Sequence, residues 1–210
     1  MKQFLRLAAL AATLAWPAVA SANLVMDGDF ASPSLSGSYQ TYNANSTMGA
    51  WAVTAGSVDL IHNYWSPPAG APQSVDMAGL QAGTIQQAII TSPGYYRLTF
   101  DMAGNPDGSQ GIKTLQVTFG DTSHTFTFDD RGKTYSNMGW TLETWDFHTS
   151  STSTLLIFKD VSIPSTAYGS AIAEISLASV PEPTTIISGM MLLLPFGAGA
   201  MRKLRGNRAA

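Results

Sequence analysis

Short runs of alternating apolar and polar residues dominate the chain between positions 23 and 179. In the run KTLQVTF, Leu115, Val117 and Phe119 fall on one face, while threonine and glutamine residues fall on the other. This alternation has the two-residue period of a β-strand with one buried face. An apolar period of 3.6 residues never extends beyond two helical turns in this region. The pattern therefore predicts an all-β domain.

Turn-forming residues separate these runs at the spacing that a β-sandwich needs. The clearest predicted strands are Gly83 to Thr91, Tyr95 to Ala103, Lys113 to Phe119, His124 to Phe128, Thr141 to His148, Thr154 to Lys159 and Ala171 to Leu177. Glycine, proline, asparagine or aspartate stand between them, as in Ser92-Pro93-Gly94 and Gly120-Asp121. We predict a two-sheet jelly roll over residues 23–179, with the segment from Asn23 to Phe30 lying beside the last strand.

The first 22 residues have the three parts of a secretory signal peptide. A short cationic region with Lys2 and Arg6 precedes an apolar run from Leu7 to Trp16 and the small-residue sequence AVASA. Cleavage by signal peptidase after Ala22 would leave Asn23 as the first residue, and cleavage after Ala20 is the alternative. We predict export across the inner membrane.

A second apolar segment lies near the C-terminus. It covers residues 186–201, follows the sequence Val180-Pro181-Glu182-Pro183 and precedes a basic tail at 202–208. As a helix it would be ~24 Å long, slightly shorter than a bilayer core of ~30 Å, so the sequence predicts a short, marginal transmembrane helix. Basic residues directly after a span stay on the cytoplasmic side, which places the preceding domain outside.

The order of motif, short apolar helix and basic tail resembles the PEP-CTERM sorting signal of Gram-negative bacteria. The resemblance implies recognition of Val180, Pro181, Glu182 and Pro183 by an exosortase. It also implies transient residence in the inner membrane, followed by release to the cell surface or extracellular matrix. An ordinary membrane anchor that is never cut is the alternative.

Charge and composition exclude several classes of protein. Residues 23–180 contain five basic and thirteen acidic residues, a net charge of −8. A domain this acidic repels phosphate backbones, so we expect no nucleic-acid partner. The chain has no cysteine, which excludes disulfides, thiolate metal sites and a cysteine nucleophile.

Several segments of the domain resemble the bacterial choice-of-anchor C family, a DUF642 relative of galactose-binding-like type. They are NLVMDGDF from Asn23, WAVTAGSVDLI from Trp51, QSVDMAG from Gln73, GTIQQ from Gly83, GNPD from Gly104 and NMGW from Asn137. The resemblance implies a galactose-binding-like jelly roll. Related carbohydrate-binding jelly rolls hold a structural calcium ion between their first and last strands.

A calcium site is therefore one expectation for the two ends of this domain. Asp27, Asp29 and Glu174 are the acids near both terminal strands, and hard oxygen ligands suit calcium. Ala173 stands where the family usually has an aspartate, which weakens the expectation. The alternative is that these acids are exposed turn residues, and we predict no other cofactor.

The sequence lacks the motifs of common enzymes, and we predict no catalytic residue. There is no G-x-S-x-G, H-E-x-x-H or Walker sequence. Asp59 and Asp76, each preceded by valine, fit an inward-facing polar pair or a loop anchor better than a glycosidase pair of carboxylates, which needs a set separation.

Sugar binding is the stronger hypothesis. Sugars stack their C–H faces on aromatic rings and hydrogen-bond to polar side chains, and Asn63, Tyr64 and Trp65 supply both in a predicted loop. Trp51 is a further candidate. We predict a non-catalytic carbohydrate-binding protein associated with extracellular polysaccharide. A ligand-free structural matrix protein and, less favoured, a glycan hydrolase are the alternatives.

Overall fold

The computed structural model describes residues 22–180, and β-strands make up most of this part of the chain. The strands are β1 Tyr39–Asn43, β2 Ser46–Met48, β3 Trp51–Ala55, β4 Ser57–Ile61, β5 Ser74–Asp76, β6 Thr84–Ile90, β7 Gly94–Gly104, β8 Ile112–Phe119, β9 Thr122–Asp129, β10 Thr141–Thr149, β11 Ser153–Asp160 and β12 Ser170–Val180.

Two six-stranded sheets pack against each other. Sheet A has the order β1-β4-β5-β12-β7-β10, and sheet B has the order β2-β3-β6-β11-β8-β9. Neighbouring strands are antiparallel throughout. The chain repeatedly crosses from one sheet to the other, so the predicted all-β, two-sheet jelly-roll sandwich is confirmed.

The predicted strands and their alternation agree with the structure. The seven predicted segments coincide with β6 to β12, with ends that differ by at most three residues. In β8, Leu115, Val117 and Phe119 are all buried, as the alternation requires. The N-terminal segment lies beside β12 as expected, because the amide of Leu24 donates to the carbonyl of Leu177 at 2.9 Å.

Aromatic side chains fill the space between the sheets. Trp51 of β3 contacts Phe158 of β11 with ring centroids 5.9 Å apart, and Phe158 contacts Phe100 of β7 at 5.4 Å. Both contacts are edge-to-face, the arrangement that the ring quadrupoles favour. These rings join strands of both sheets and form the centre of the hydrophobic core.

A buried carboxylate joins the sheets at one end of the sandwich. One oxygen of Asp160, at the end of β11, accepts hydrogen bonds from the amide and hydroxyl of Ser170 at 2.7 Å each. The same oxygen accepts a third from the Ser162 hydroxyl at 3.1 Å. Since Ser170 begins β12, Asp160 fixes the first residue of that strand.

The outer face of sheet A is partly covered by the loop at 62–73. Its backbone is tied to a second loop by a 2.7 Å hydrogen bond from the Ser66 amide to the Tyr135 carbonyl. No helix within residues 22–180 is long and apolar enough to cross a bilayer. The predicted signal peptide, Pro181 to Pro183, the apolar helix at 186–201 and the basic tail lie outside the described residues.

Candidate functional site

Two aspartates lie next to each other on the outer face of sheet A. Asp59 of β4 is the direct cross-strand partner of Asp76 of β5. Val58 and Leu60 point into the core between the sheets, so the side chain of Asp59 points to the opposite face. The predicted polar pair is therefore formed by strand register, but the prediction that it faces inward is wrong, because both side chains lie on the outer face of the sheet.

Asp76 anchors a loop, as its sequence context predicted. One of its carboxylate oxygens accepts from the side-chain amide of Asn105 at 2.6 Å, and the other accepts from the amide of Ala78 at 2.9 Å. Asp76 is fully buried, and burial raises its pKa well above the ordinary value. The side chain thus fixes the loop that follows β7.

Asp59 has an oxygen that the structure leaves without a partner. Its Oδ1 atom is buried and accepts no hydrogen bond. A Cβ atom at residue 79 would lie 2.6 Å from this oxygen, so Gly79 lets the backbone cover it. Burial raises the pKa of Asp59, and a hydrogen bond from Thr41 opposes that effect.

A cluster of aromatic rings stands beside the two aspartates. The ring of Tyr64 lies 5.5 Å from Tyr39, 5.3 Å from Tyr135 and 5.8 Å from Trp65, in edge-to-face contacts. The hydroxyl of Tyr64 donates to Asp107 at 2.8 Å, and that of Tyr135 donates to the other oxygen of the same carboxylate. The bond to Asp107 raises the pKa of Tyr64. Asp107 therefore holds two exposed rings in place.

The rings and aspartates enclose a cavity of about 280 Å³. We call it the tyrosine pocket and define it by the lining residues Tyr39, Tyr64, Tyr168, Asp59, Asp76 and Asp107. Trp65 and Asn105 also line it. A concave site with aromatic walls and a few convergent polar groups is the usual form of a small-ligand site.

The structure keeps Tyr64 as a candidate ligand residue and corrects three others. Tyr64 is 38 % exposed and lines the pocket, whereas the exposed side chain of Asn63 does not. The expectation that Trp65 is an exposed ring is wrong, because it is 4 % exposed and its indole N–H donates to Ser74 at 2.9 Å. Trp51 is fully buried in the core, so it cannot stack on a sugar.

The residues predicted to hold calcium do not form one set of ligands. Glu174 lies at a bulge in β12, opposite the N-terminal segment that carries Asp27 and Asp29. Asp27 has a buried oxygen without a partner, and burial raises its pKa. However, no group of three His, Cys, Asp or Glu side chains in residues 22–180 is placed to hold a metal ion. Among the described residues these three acids are not such a group, and the calcium site stays a prediction.

Sequence reasoning missed four residues of the pocket. Tyr39 and Tyr168 are single tyrosines in polar surroundings, which carry no pattern. Asn105 and Asp107 lie in GNPDG, which the sequence marks as a turn and as one segment of the family resemblance, but not as a ligand site. The available signal was that asparagine and aspartate in such a turn also place polar side chains at the end of a strand.

A second depression of about 440 Å³ lies on the same side of the molecule. Pro67, Pro68, Asp101 and Trp140 are among its lining residues. The indole N–H of Trp140 donates to the carbonyl of Ser66 at 2.9 Å, so this ring packs on the loop that also carries Tyr64 and Trp65. This depression has fewer aromatic rings than the tyrosine pocket.

The protein is a two-sheet β-sandwich with a pocket on the outer face of sheet A. The family described as "Protein of unknown function (DUF642)" matches residues 23–178, and the chain belongs to that family. It is 32 % identical over 168 residues to halomucin from Haloquadratum walsbyi, a match that covers 77 % of this chain and 2 % of halomucin. The chain thus spans a very small part of that relative.

Solved structures of carbohydrate-binding modules are similar at a lower level. The CBM35 from Paenibacillus barcinonensis has a TM-score of 0.43 and 16 % identity, covering 67 % of this chain and 99 % of that one. A family 35 module from Clostridium thermocellum has a TM-score of 0.42 and 12 % identity, covering 68 % and 92 %. Likenesses at this level assign no function to the chain.

Proposed function

We propose that this chain is a non-catalytic carbohydrate-binding protein and that the tyrosine pocket is its saccharide site. The observation that carries the proposal is the convergence of exposed tyrosine rings and aspartate side chains on one cavity. A sugar ring offers C–H groups to the aromatic rings and hydroxyl groups to the carboxylates. Asp107 already holds the hydroxyls of Tyr64 and Tyr135, so little side-chain freedom is lost on binding.

The proposal can be tested by calorimetric titration of the full chain with a panel of oligosaccharides. We expect Tyr64→Ala to weaken binding about tenfold or more, the loss of roughly one aromatic contact. Tyr95→Ala is the matched control. Tyr95 is also an exposed tyrosine, but it pairs with Val180 at the C-terminal end of β12, whereas Asp76 of the pocket pairs with Ala171 at the N-terminal end. No binding to any oligosaccharide would favour a ligand-free matrix protein, and new reducing ends would indicate a glycan hydrolase.

We further propose that residues 1–22 direct export of the domain and that an exosortase processes the chain at Val180 to Pro183. Processing releases the domain to the cell surface or extracellular matrix, where it associates with polysaccharide. The support is the order of signal peptide, folded domain, proline motif, apolar segment and basic tail. Proline fixes φ and removes an N–H, which keeps the motif extended.

Replacing both Pro181 and Pro183 by alanine should leave export intact and block release. Mass spectrometry of the released and membrane fractions would measure this. A double variant at Pro67 and Pro68 changes two prolines of the folded domain and serves as the control. Normal release of the Pro181 and Pro183 variant would refute the processing proposal.

A further inference from the structure

The tyrosine pocket is strongly acidic. Asp59, Asp76 and Asp107 all line it, and none of its lining residues, all within 22–180, is lysine, arginine or histidine. The ammonium group of Lys113 contacts the wall from outside the lining set, where it donates to the carbonyl of Tyr168 at 2.8 Å. That ammonium group also pairs with Asp130 at 3.3 Å, so its charge is already balanced.

The floor of the pocket concentrates this negative charge. Asp59 and Asp76 are direct cross-strand partners, and paired positions place their Cβ atoms about 5 Å apart. The buried Oδ1 atom of Asp59 accepts no hydrogen bond, and Asp76 receives its hydrogen bonds only from neutral amide groups. Two ionised acids in contact without a base are unfavourable. Burial raises the pKa of Asp76, so a proton on Asp76 relieves part of that cost, and a positive group beside Asp59 would relieve the rest.

The aromatic walls favour the same kind of ligand. Tyr39 and Tyr64 form an edge-to-face pair that lines the pocket, and Tyr168 is a third tyrosine of its wall. The faces of aromatic rings attract cations, and they also stack on the C–H groups of sugars. A ligand that combines a positive charge with a sugar ring uses both properties.

We infer that the pocket selects a saccharide unit with a free, protonated amino group, that is, an unacetylated amino sugar. This inference rests on the proposed function of the pocket. An ammonium group next to the sugar ring can donate to the aspartates while the C–H face meets the tyrosines. A uronic acid would bring a fourth carboxylate, and a neutral sugar would leave the paired aspartates unbalanced. The volume of about 280 Å³ is at the lower end for ligand sites and suits a single sugar unit.

The decisive experiment is calorimetric titration of the full chain at pH 6 with three hexasaccharides: glucosamine, N-acetylglucosamine and galacturonic acid. We expect the glucosamine hexamer to bind at least about tenfold more tightly than the other two, a step of one decade in Kd. We also expect its binding to weaken between 0.05 and 0.5 M NaCl, since charge attraction is screened.

Two charge-removing variants distinguish the effect of charge in the pocket from the effect of the protein's overall negative charge. Asp59→Asn keeps the shape of the side chain and should remove the preference for glucosamine, so that the glucosamine and acetylated hexamers bind with Kd values within about twofold of each other. Asp121→Asn removes the same charge from an exposed turn between β8 and β9 and should change neither. Should Asp59→Asn fail to fold by circular dichroism, Asp59→Ser removes the same charge with a smaller side chain and provides the same test.

The outcomes distinguish this inference from the proposed function. Equal binding of all three hexamers, lost in Tyr64→Ala, would keep the saccharide site and overturn the selection for an amine. A glucosamine preference that persists in Asp59→Asn would also overturn it, because general charge attraction would then be the cause. Binding of none of the hexamers, or of the wider panel, would remove the proposed function itself.

Discussion

Replacing Trp65 by alanine tests whether the loop at 62–73 is packed against the folded domain. The side chain is 4 % exposed, and burying a tryptophan removes about 150–250 Å² from water, equivalent to about 4–6 kcal/mol at ~25 cal/mol per Å². The variant keeps Cβ, and a surface loop can partly collapse into the space. Loss of the bond to the buried Ser74 hydroxyl adds about 1 kcal/mol. We expect a total cost of about 3–5 kcal/mol of unfolding free energy.

Thermal and urea unfolding, followed by circular dichroism, measure this cost. For a domain of this size it corresponds to a fall in Tm on the order of 10 °C. Tyr64→Ala is the neighbouring control, and because Tyr64 is 38 % exposed we expect it to shift Tm by only a few degrees. A Trp65→Ala protein that melts within about 3 °C of the unmodified chain would show that Trp65 is not part of the packed structure.

Two further predictions concern buried carboxylates. Burial raises the pKa of Asp76, so the folded state holds the proton on this carboxyl group more tightly than the unfolded state does. The stability gained from that proton is complete below about pH 4, the unfolded pKa. It is lost as the pH rises through the folded pKa. Asp76→Asn should therefore flatten the fall in urea midpoint from pH 4 to pH 8, and an unchanged slope would contradict the assignment. Asp160→Ala leaves the hydroxyls of Ser162 and Ser170 without their acceptor and should cost about 3 kcal/mol or more of unfolding free energy. The control Ser162→Ala removes one of these hydrogen bonds and should cost about 1 kcal/mol. Equal urea midpoints for the two variants would count against a central role for Asp160.

The part of the fold that could be predicted from sequence is the part with simple alternation. β8 has one buried and one half-buried face, so its period of two is visible. β4 is buried on nearly every residue, and β5 has only three residues, all buried, so neither shows alternation. Both strands were recognised only as segments of a family resemblance, although they carry Asp59 and Asp76.

The site was harder to predict because it depends on contacts between distant segments. Asn63, Pro67 and Pro68 correctly indicate a loop, but local sequence does not report that the loop folds onto the outer face of sheet A and buries Trp65. Asp107 receives a hydrogen bond from Tyr64, 43 positions earlier in the chain. Such a contact follows from the topology of the sheets, which no local pattern encodes.

The length and direction of β12 set the distance between the pocket and the point where the chain continues beyond Val180. Ala171, at the start of the strand, pairs with Asp76 in the pocket floor, and Val180, at its end, pairs with Tyr95. Nine residue steps at ~3.3 Å separate these two points by about 30 Å. The pocket therefore lies at the end of β12 that is remote from Val180, so whatever the chain beyond Val180 contacts leaves the pocket open to a ligand.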